Sequence, residues 1–167
     1  LEKHTAKGNT ALMFSCQDGH DLCARSLIKA KAALNTQDKE GWTALMWACS
    51  ENHDRCARAL LEAKADLEKQ TAKGSTALIL SCQNGHDLCA RALLEAKADP
   101  NKANKTGFTA LIHSCQGGHD LCARSLIEAK ASVDTHNNGG WTALMFACYK
   151  NHDLCARALL EKGVAVN

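Results

Sequence analysis

The sequence predicts an all-α solenoid, in which helix-turn-helix units stack in a row and are joined by β-turn or hairpin loops. Three observations predict it. Glycines at Gly8, Gly41, Gly74, Gly107 and Gly140 recur every 33 residues, and each opens a Gly-x-Thr-Ala-Leu string. A second string, His-Asp-x-Cys-Ala-Arg-x-Leu, starts at His20, His53, His86, His119 and His152 with the same spacing. Within each copy, apolar residues return at helical intervals. Five in-phase copies of two strings make a tandem array, and a fixed period of this length marks units that bury their apolar faces on their neighbours. The array is expected to be one body over residues 1–167, with units at about 5–37, 38–70, 71–103, 104–136 and 137–167 (units 1 to 5).

The elements follow in order along one unit. Thr10 can cap a short helix from about Ala11 to Gln17, because its hydroxyl can accept from an early helical N–H. Asp18-Gly19 ends that helix. Asp21 then falls in the first turn of a second helix, where a carboxylate suits the positive end of the dipole. Leu22, Cys23, Ser26, Leu27 and Ala30 share helical spacing and are expected to form its packing face. Arg58 and Glu62, Arg91 and Glu95, Arg124 and Glu128, and Arg157 and Glu161 stand four apart and read as ion pairs on a solvated outer face. The first copy departs, with Lys29 four after Arg25. Residues 32–41 are polar and turn-like, and they lead to the next helical pair. The other four units repeat this order.

Composition excludes several functional classes. Hydrophobic residues at 46% and charged residues at 23% argue for a folded chain rather than disorder. Twenty Lys and Arg against 18 Asp and Glu leave +2, too little for a dedicated nucleic-acid or polybasic membrane surface. No apolar stretch is long enough to span a bilayer. A single Pro excludes Pro-rich or collagen-like readings. No phosphate-binding Gly-rich loop, His-Glu-x-x-His or Gly-x-Ser-x-Gly motif is present, so no enzyme is expected, and no cofactor.

Ten cysteines and eight histidines are the conspicuous reactive residues. Each unit reads Cys-x3-His-x2-Cys, as in Cys16, His20 and Cys23, which differs from the Cys-x2-Cys and His-x3-His spacings of zinc sites. The expected role of these thiols is packing, since a free Cys behaves as a small hydrophobe. No metal is expected. Unpaired thiols in this number imply a reducing compartment, cytoplasmic or nuclear.

The 33-residue unit resembles an ankyrin repeat. The family's Thr-Pro-Leu-His helix opening corresponds to Thr10-Ala11-Leu12-Met13 and its four counterparts, and its Gly-His loop to Gly19-His20, Gly85-His86 and Gly118-His119, with Asn52-His53 and Asn151-His152 as variants. Its Gly-Ala-Asp-x-Asn tail appears as Lys97-Ala98-Asp99-Pro100-Asn101. The resemblance implies a left-handed helix end at Lys31, Lys64, Lys97 and Lys130, where the family carries Gly; only Gly163 keeps it. It implies that the five histidines of the His-Asp pairs organise the loops. It also raises Asn35, Asn101 and Asn167 as hydroxylation sites. Neither end carries a polar cap, as Leu12, Leu22, Leu27, Val164 and Val166 illustrate, so a segment of a longer array is expected, monomeric or weakly self-associating through uncapped ends.

By the same resemblance, turn tips and first helices line a concave face that binds another protein. Columns that vary between units are the ones a partner can read. The turn column holds Asn9, Trp42, Ser75, Phe108 and Trp141; the helix column holds Phe14, Trp47, Leu80, His113 and Phe146; Tyr149 stands at the last helix end. All seven aromatic residues fall in these columns. The candidate partner-binding set is therefore Trp42, Phe108, Trp141, Trp47, Phe14, His113, Phe146 and Tyr149. The expected function is a non-catalytic protein-protein interaction module. The alternative is an architectural spacer in a larger protein, with the rings half-buried between units.

Overall fold

The computed structural model describes residues 3–163. Among them are ten α-helices in five pairs: α1 (Ala11–Gln17) with α2 (Asp21–Lys29), α3 (Ala44–Ser50) with α4 (Asp54–Glu62), α5 (Ala77–Gln83) with α6 (Asp87–Glu95), α7 (Ala110–Gly117) with α8 (Asp120–Glu128), and α9 (Ala143–Tyr149) with α10 (Asp153–Glu161). Odd-numbered helices stand side by side in one row and even-numbered helices in a second. Antiparallel bridges Ala103–Thr109 and His136–Thr142 close two of the hairpins that join the pairs.

Short helices need their ends satisfied, and the repeated residues do this. Thr10 Oγ1 accepts from Met13 N–H at 3.2 Å, while Thr10 N–H reaches Met13 Sδ at 3.4 Å, a reciprocal cap that Thr43 and Met46 repeat. The second helices α2, α4, α6 and α8 end in paired backbone bonds. Ala98 N–H donates to Leu93 O and Lys97 N–H to Leu94 O, both at 3.0 Å, which places Lys97 in the left-handed region at φ 71°. Lys31, Lys64 and Lys130 share that conformation, as the family resemblance implies.

The core is a continuous seam between the two rows. Leu12, Leu45, Leu78 and Leu111 enter it from the first helices, and Leu60, Leu93, Leu126 and Leu159 from the second. Each such burial is worth roughly 1.5–3 kcal/mol relative to exposure. The expected packing face of the second helix needs correction. Cys89, Ala90, Ala92 and Leu93 are its buried residues, and Leu88 is exposed, as are Leu22, Leu121 and Leu154. The expected pairing of charges also differs. Arg25 meets Glu62 and Arg58 meets Glu95, each at 3.7 Å between neighbouring units, while Arg91 pairs with Asp87 and Arg157 with Asp153 along their own helices.

Histidines and thiols tie unit to unit. The Nε2–H of His53, His86 and His119 donates to the carbonyls of Gln17, Ser50 and Gln83, at 3.0, 3.0 and 3.2 Å. Each bond reaches the end of the preceding unit's first helix. The first-helix thiol of one unit meets the second-helix thiol of the next: Cys16 with Cys56, Cys49 with Cys89, Cys82 with Cys122, and Cys115 with Cys155. These eight are buried, whereas Cys23 and Cys148 are exposed. Burial raises the Cys16 pKa, and the hydrogen bond with Cys155 followed by burial raises that of Cys115. These groups are held as thiols, the opposite of an activated nucleophile. Among the described residues, no three His, Cys, Asp or Glu side chains converge as a metal site requires. None of the helices there is long and apolar enough to cross a membrane.

Candidate partner-binding face

Each hairpin tip is organised by one side chain acting on the backbone beyond it. Asp38 Oδ1 accepts from the N–H groups of Glu40 and Trp42 at 2.9 and 2.8 Å. Asn104 Oδ1 does the same for Thr106 and Phe108, both at 3.0 Å, and Asn137 Oδ1 for Gly139 and Trp141, both at 2.9 Å. Such side-chain turns fix the chain direction at the residue that carries the ring. Neighbouring tips are joined by Ala72 N–H to Glu40 O at 2.8 Å and by Lys105 N–H to Lys73 O at 3.1 Å. At Gly41, φ is 79° and a Cβ would lie 3.0 Å from the Thr71 and Ala72 backbone, so that position requires glycine. The row of tips is thus a hydrogen-bonded edge.

The rings of the turn column lie on the rings of the helix column. Trp42 stacks on Trp47 with centroids 4.3 Å apart and planes at 27°. Phe108 packs against His113 at 4.7 Å and, across the junction, against Phe146 at 5.6 Å. Trp141 covers Phe146 at 5.0 Å and meets Tyr149 edge-on at 5.4 Å. The candidate residues therefore form two clusters. Trp42 and Trp47, with Phe14 nearby, make one, and Phe108, His113, Trp141, Phe146 and Tyr149 make the other. Unit 3 separates them with Ser75 and Leu80.

Accessibility differs within the set. Trp42, Trp47, Phe108 and His113 are half-buried. Phe146 is only 9% exposed, whereas Phe14 is 42%, Trp141 37% and Tyr149 71% exposed. Lys150 Nζ lies 5.6 Å from the Tyr149 ring centroid. Burial lowers the His113 pKa against an opposing hydrogen bond with Gln116, which favours the neutral ring.

Two depressions flank Trp42. One, of about 530 Å³, is lined by Phe14, Trp42 and Trp47 with Lys7, Asn9 and Asp38 among its polar walls. The other, of about 340 Å³, is bordered by Trp42, Ser75, Leu80, Gln83 and Asn84. Trp47 Nε1 and Asn9 Oδ1 are buried without a hydrogen-bond partner, and both residues line the larger depression. Asn9 and Leu80 were not among the aromatic candidates. They occupy the same two variable columns, which was the signal available to find them.

The asparagines raised as modification sites have structural work. Asn35 Oδ1 accepts from Asp66 N–H at 2.8 Å and Asn101 Oδ1 from Ser132 N–H at 2.7 Å, strapping one unit to the next. Asn167, Val164 and Val166 lie outside the described residues.

No curated protein matches the chain. A family model described as ankyrin repeats (3 copies) matches in four overlapping stretches, residues 1–71, 27–104, 63–134 and 78–167. These matches run from end to end through the capped helix pairs and hairpins described above, and the chain belongs to the ankyrin-repeat family.

Proposed function

We propose that the chain is a non-catalytic protein-binding module whose five units act as one array and whose turn-and-first-helix face holds a partner protein. Ankyrin repeats are generally protein-protein interaction modules. The observation that carries the reading to this face is the Trp42–Trp47 stack, which stands between two depressions on a hydrogen-bonded edge. A preformed aromatic wall beside a cavity suits a partner's apolar side chain, because little ordering is required on binding. Phe14, Trp141 and Tyr149 extend the contact, with Phe108 and His113 completing the second cluster. Phe146 supports it from beneath. The unpaired thiols favour a reducing, cytoplasmic or nuclear, setting.

The test is affinity capture from the source cell with wild type and Trp42→Ala, followed by titration of the captured protein. Loss of capture with the fold retained supports the reading. Equal capture by both overturns the assignment to this face. The spacer alternative draws on one observation, the burial of Phe146 between Phe108 and Trp141, where rings serve packing. It expects no saturable partner on either cluster.

A further inference from the structure

The row of paired rings is interrupted inside the array. In units 2, 4 and 5 a turn ring lies against a ring of the helix that follows: Trp42 on Trp47, Phe108 on His113 and Trp141 on Phe146. Unit 3 has Ser75 and Leu80 in those columns, both buried. At this gap a depression of about 340 Å³ opens between units 2 and 3, with Trp42 and Leu80 in its lining. A space of about 150 Å³ already holds a benzene-sized ring, so the gap admits one bulky apolar side chain. Ser50, Gln83 and Asn84 place hydroxyl and amide groups around it.

The charge changes sign across the gap. On unit 2, the turn tip and the first-helix end carry Asp38, Glu40 and Glu51 against Lys39. On units 3 and 4 the same positions carry Lys73 and Lys105 and no carboxylate. Both lysines are exposed and enter no ion pair among the described residues. Their tips are tied together, because Lys105 N–H donates to Lys73 O at 3.1 Å. The Lys105 stem also lies over Gly74, where a Cβ would stand 3.2 Å from its Cγ.

We propose that this gap takes a bulky apolar side chain from an acidic peptide segment of the partner, whose carboxylates lie over Lys73 and Lys105. The proposal rests on the binding-face reading above and adds the chemistry of the partner. The apolar side chain fills the place of the ring that unit 3 lacks, beside Trp42. The carboxylates go to units 3 and 4, because Asp38, Glu40 and Glu51 repel them from unit 2, and this fixes the direction in which the segment runs. A nucleic acid would meet two uncompensated lysines, too few for a phosphate backbone, and the same three carboxylates.

The test is selection of a displayed library of random peptides, about twelve residues long, on the whole chain, followed by titration of the enriched peptides. They are expected to share an aromatic or large aliphatic residue beside Asp or Glu. Ser75→Trp puts in unit 3 the residue that units 2 and 5 carry there, and it should weaken binding by about tenfold or more. Lys73→Glu and Lys105→Glu should each weaken it by about threefold or more, and less so in high salt. Melts check that Ser75→Trp folds; if it does not, the exposed Lys73→Glu decides. Enrichment of peptides without this pattern, or of none, overturns the proposal. So does binding that ignores both Ser75→Trp and Lys73→Glu; if it still needs Trp42, the binding-face reading stands, and if it ignores Trp42→Ala too, both fall. An oligothymidylate of about twelve nucleotides that binds more tightly than the peptides, and is lost with Lys73→Glu, overturns it in favour of nucleic acid.

Discussion

Trp42, at a hairpin tip, lies flat on Trp47 of the helix that follows it, with ring centroids 4.3 Å apart. The turn ring therefore contributes both to the fold and to the exposed wall. Trp42→Ala should cost about 1–2 kcal/mol of stability, from a lost aromatic contact and partial burial. Leu45→Ala, wholly inside the seam, should cost roughly 2–5 kcal/mol. A captured partner should lose about 2 kcal/mol or more with Trp42→Ala. Chemical denaturation and a binding titration on both variants check the split. Equal destabilisation by the two would make Trp42 a core residue.

The second cluster separates support from contact. Phe146 sits between Phe108 and Trp141 and is nearly buried, while Tyr149 is open to solvent. Phe146→Ala should therefore destabilise by about 3 kcal/mol or more. Tyr149→Ala should stay within about 0.5 kcal/mol of wild type, as a surface change does. Denaturation midpoints for the pair decide it.

Much of this architecture was legible because each local signal occurs five times. The caps at Thr10 and Thr43 and the starts at Asp21 and Asp54 fall where the 33-residue phase put them, and the left-handed lysines fall where the family resemblance implied. The packing face of the second helix was less legible. In Asp87-Leu88-Cys89-Ala90, adjacent residues differ by about 100°, so spacing alone cannot decide whether Leu88 or Ala90 faces the seam. The charge pairs were misread for a related reason. Arg58 can reach Glu62 along its own helix, but Glu95 stands beside it on the parallel neighbour, where the structure places the contact. The contrast between Cys23 and Cys56 was invisible, because their local sequences match and only their neighbours differ. At the candidate face, sequence picked out the rings. Their stacking, and the division into two clusters by Ser75 and Leu80, depend on the hairpin tips folding back over the helices.

The left-handed lysines carry a removable cost. Lys64 at φ 66° and Lys97 at φ 71° hold the position after the helix end, where a side chain crowds the backbone by about 1–2 kcal/mol. Part of the gain from glycine is cancelled by its freedom in the unfolded chain. Lys64→Gly and Lys97→Gly should each stabilise by up to about 1 kcal/mol, raising Tm by about 2–4 °C in a chain of this size. Thermal melts of the single and double variants check this. The double variant should show nearly the sum, because the two sites lie on different units.

The thiol ladder makes stability depend on alkaline pH. Hydrogen bonds with Cys89 and Cys122, followed by burial, raise the pKa values of Cys49 and Cys82 well above the ordinary 9.0. A raised folded pKa favours the native state for as long as the thiol stays protonated. Below the unfolded value, both states hold the proton and stability is flat. Above it, the unfolded chain releases the proton while the folded chain retains it, so stability falls by about 1.4 kcal/mol per pH unit for each such thiol. Urea midpoints should therefore be level near neutral pH and drop from about pH 9 upward. Cys155 shifts downward, because its hydrogen bond with Cys115 favours its thiolate, so it opposes the trend at that junction. Cys82→Ala should flatten the alkaline slope by one thiol's share while lowering stability at neutral pH through lost packing. A midpoint that stays level to about pH 10 would show that the paired thiols ionise in place, without loss of the fold.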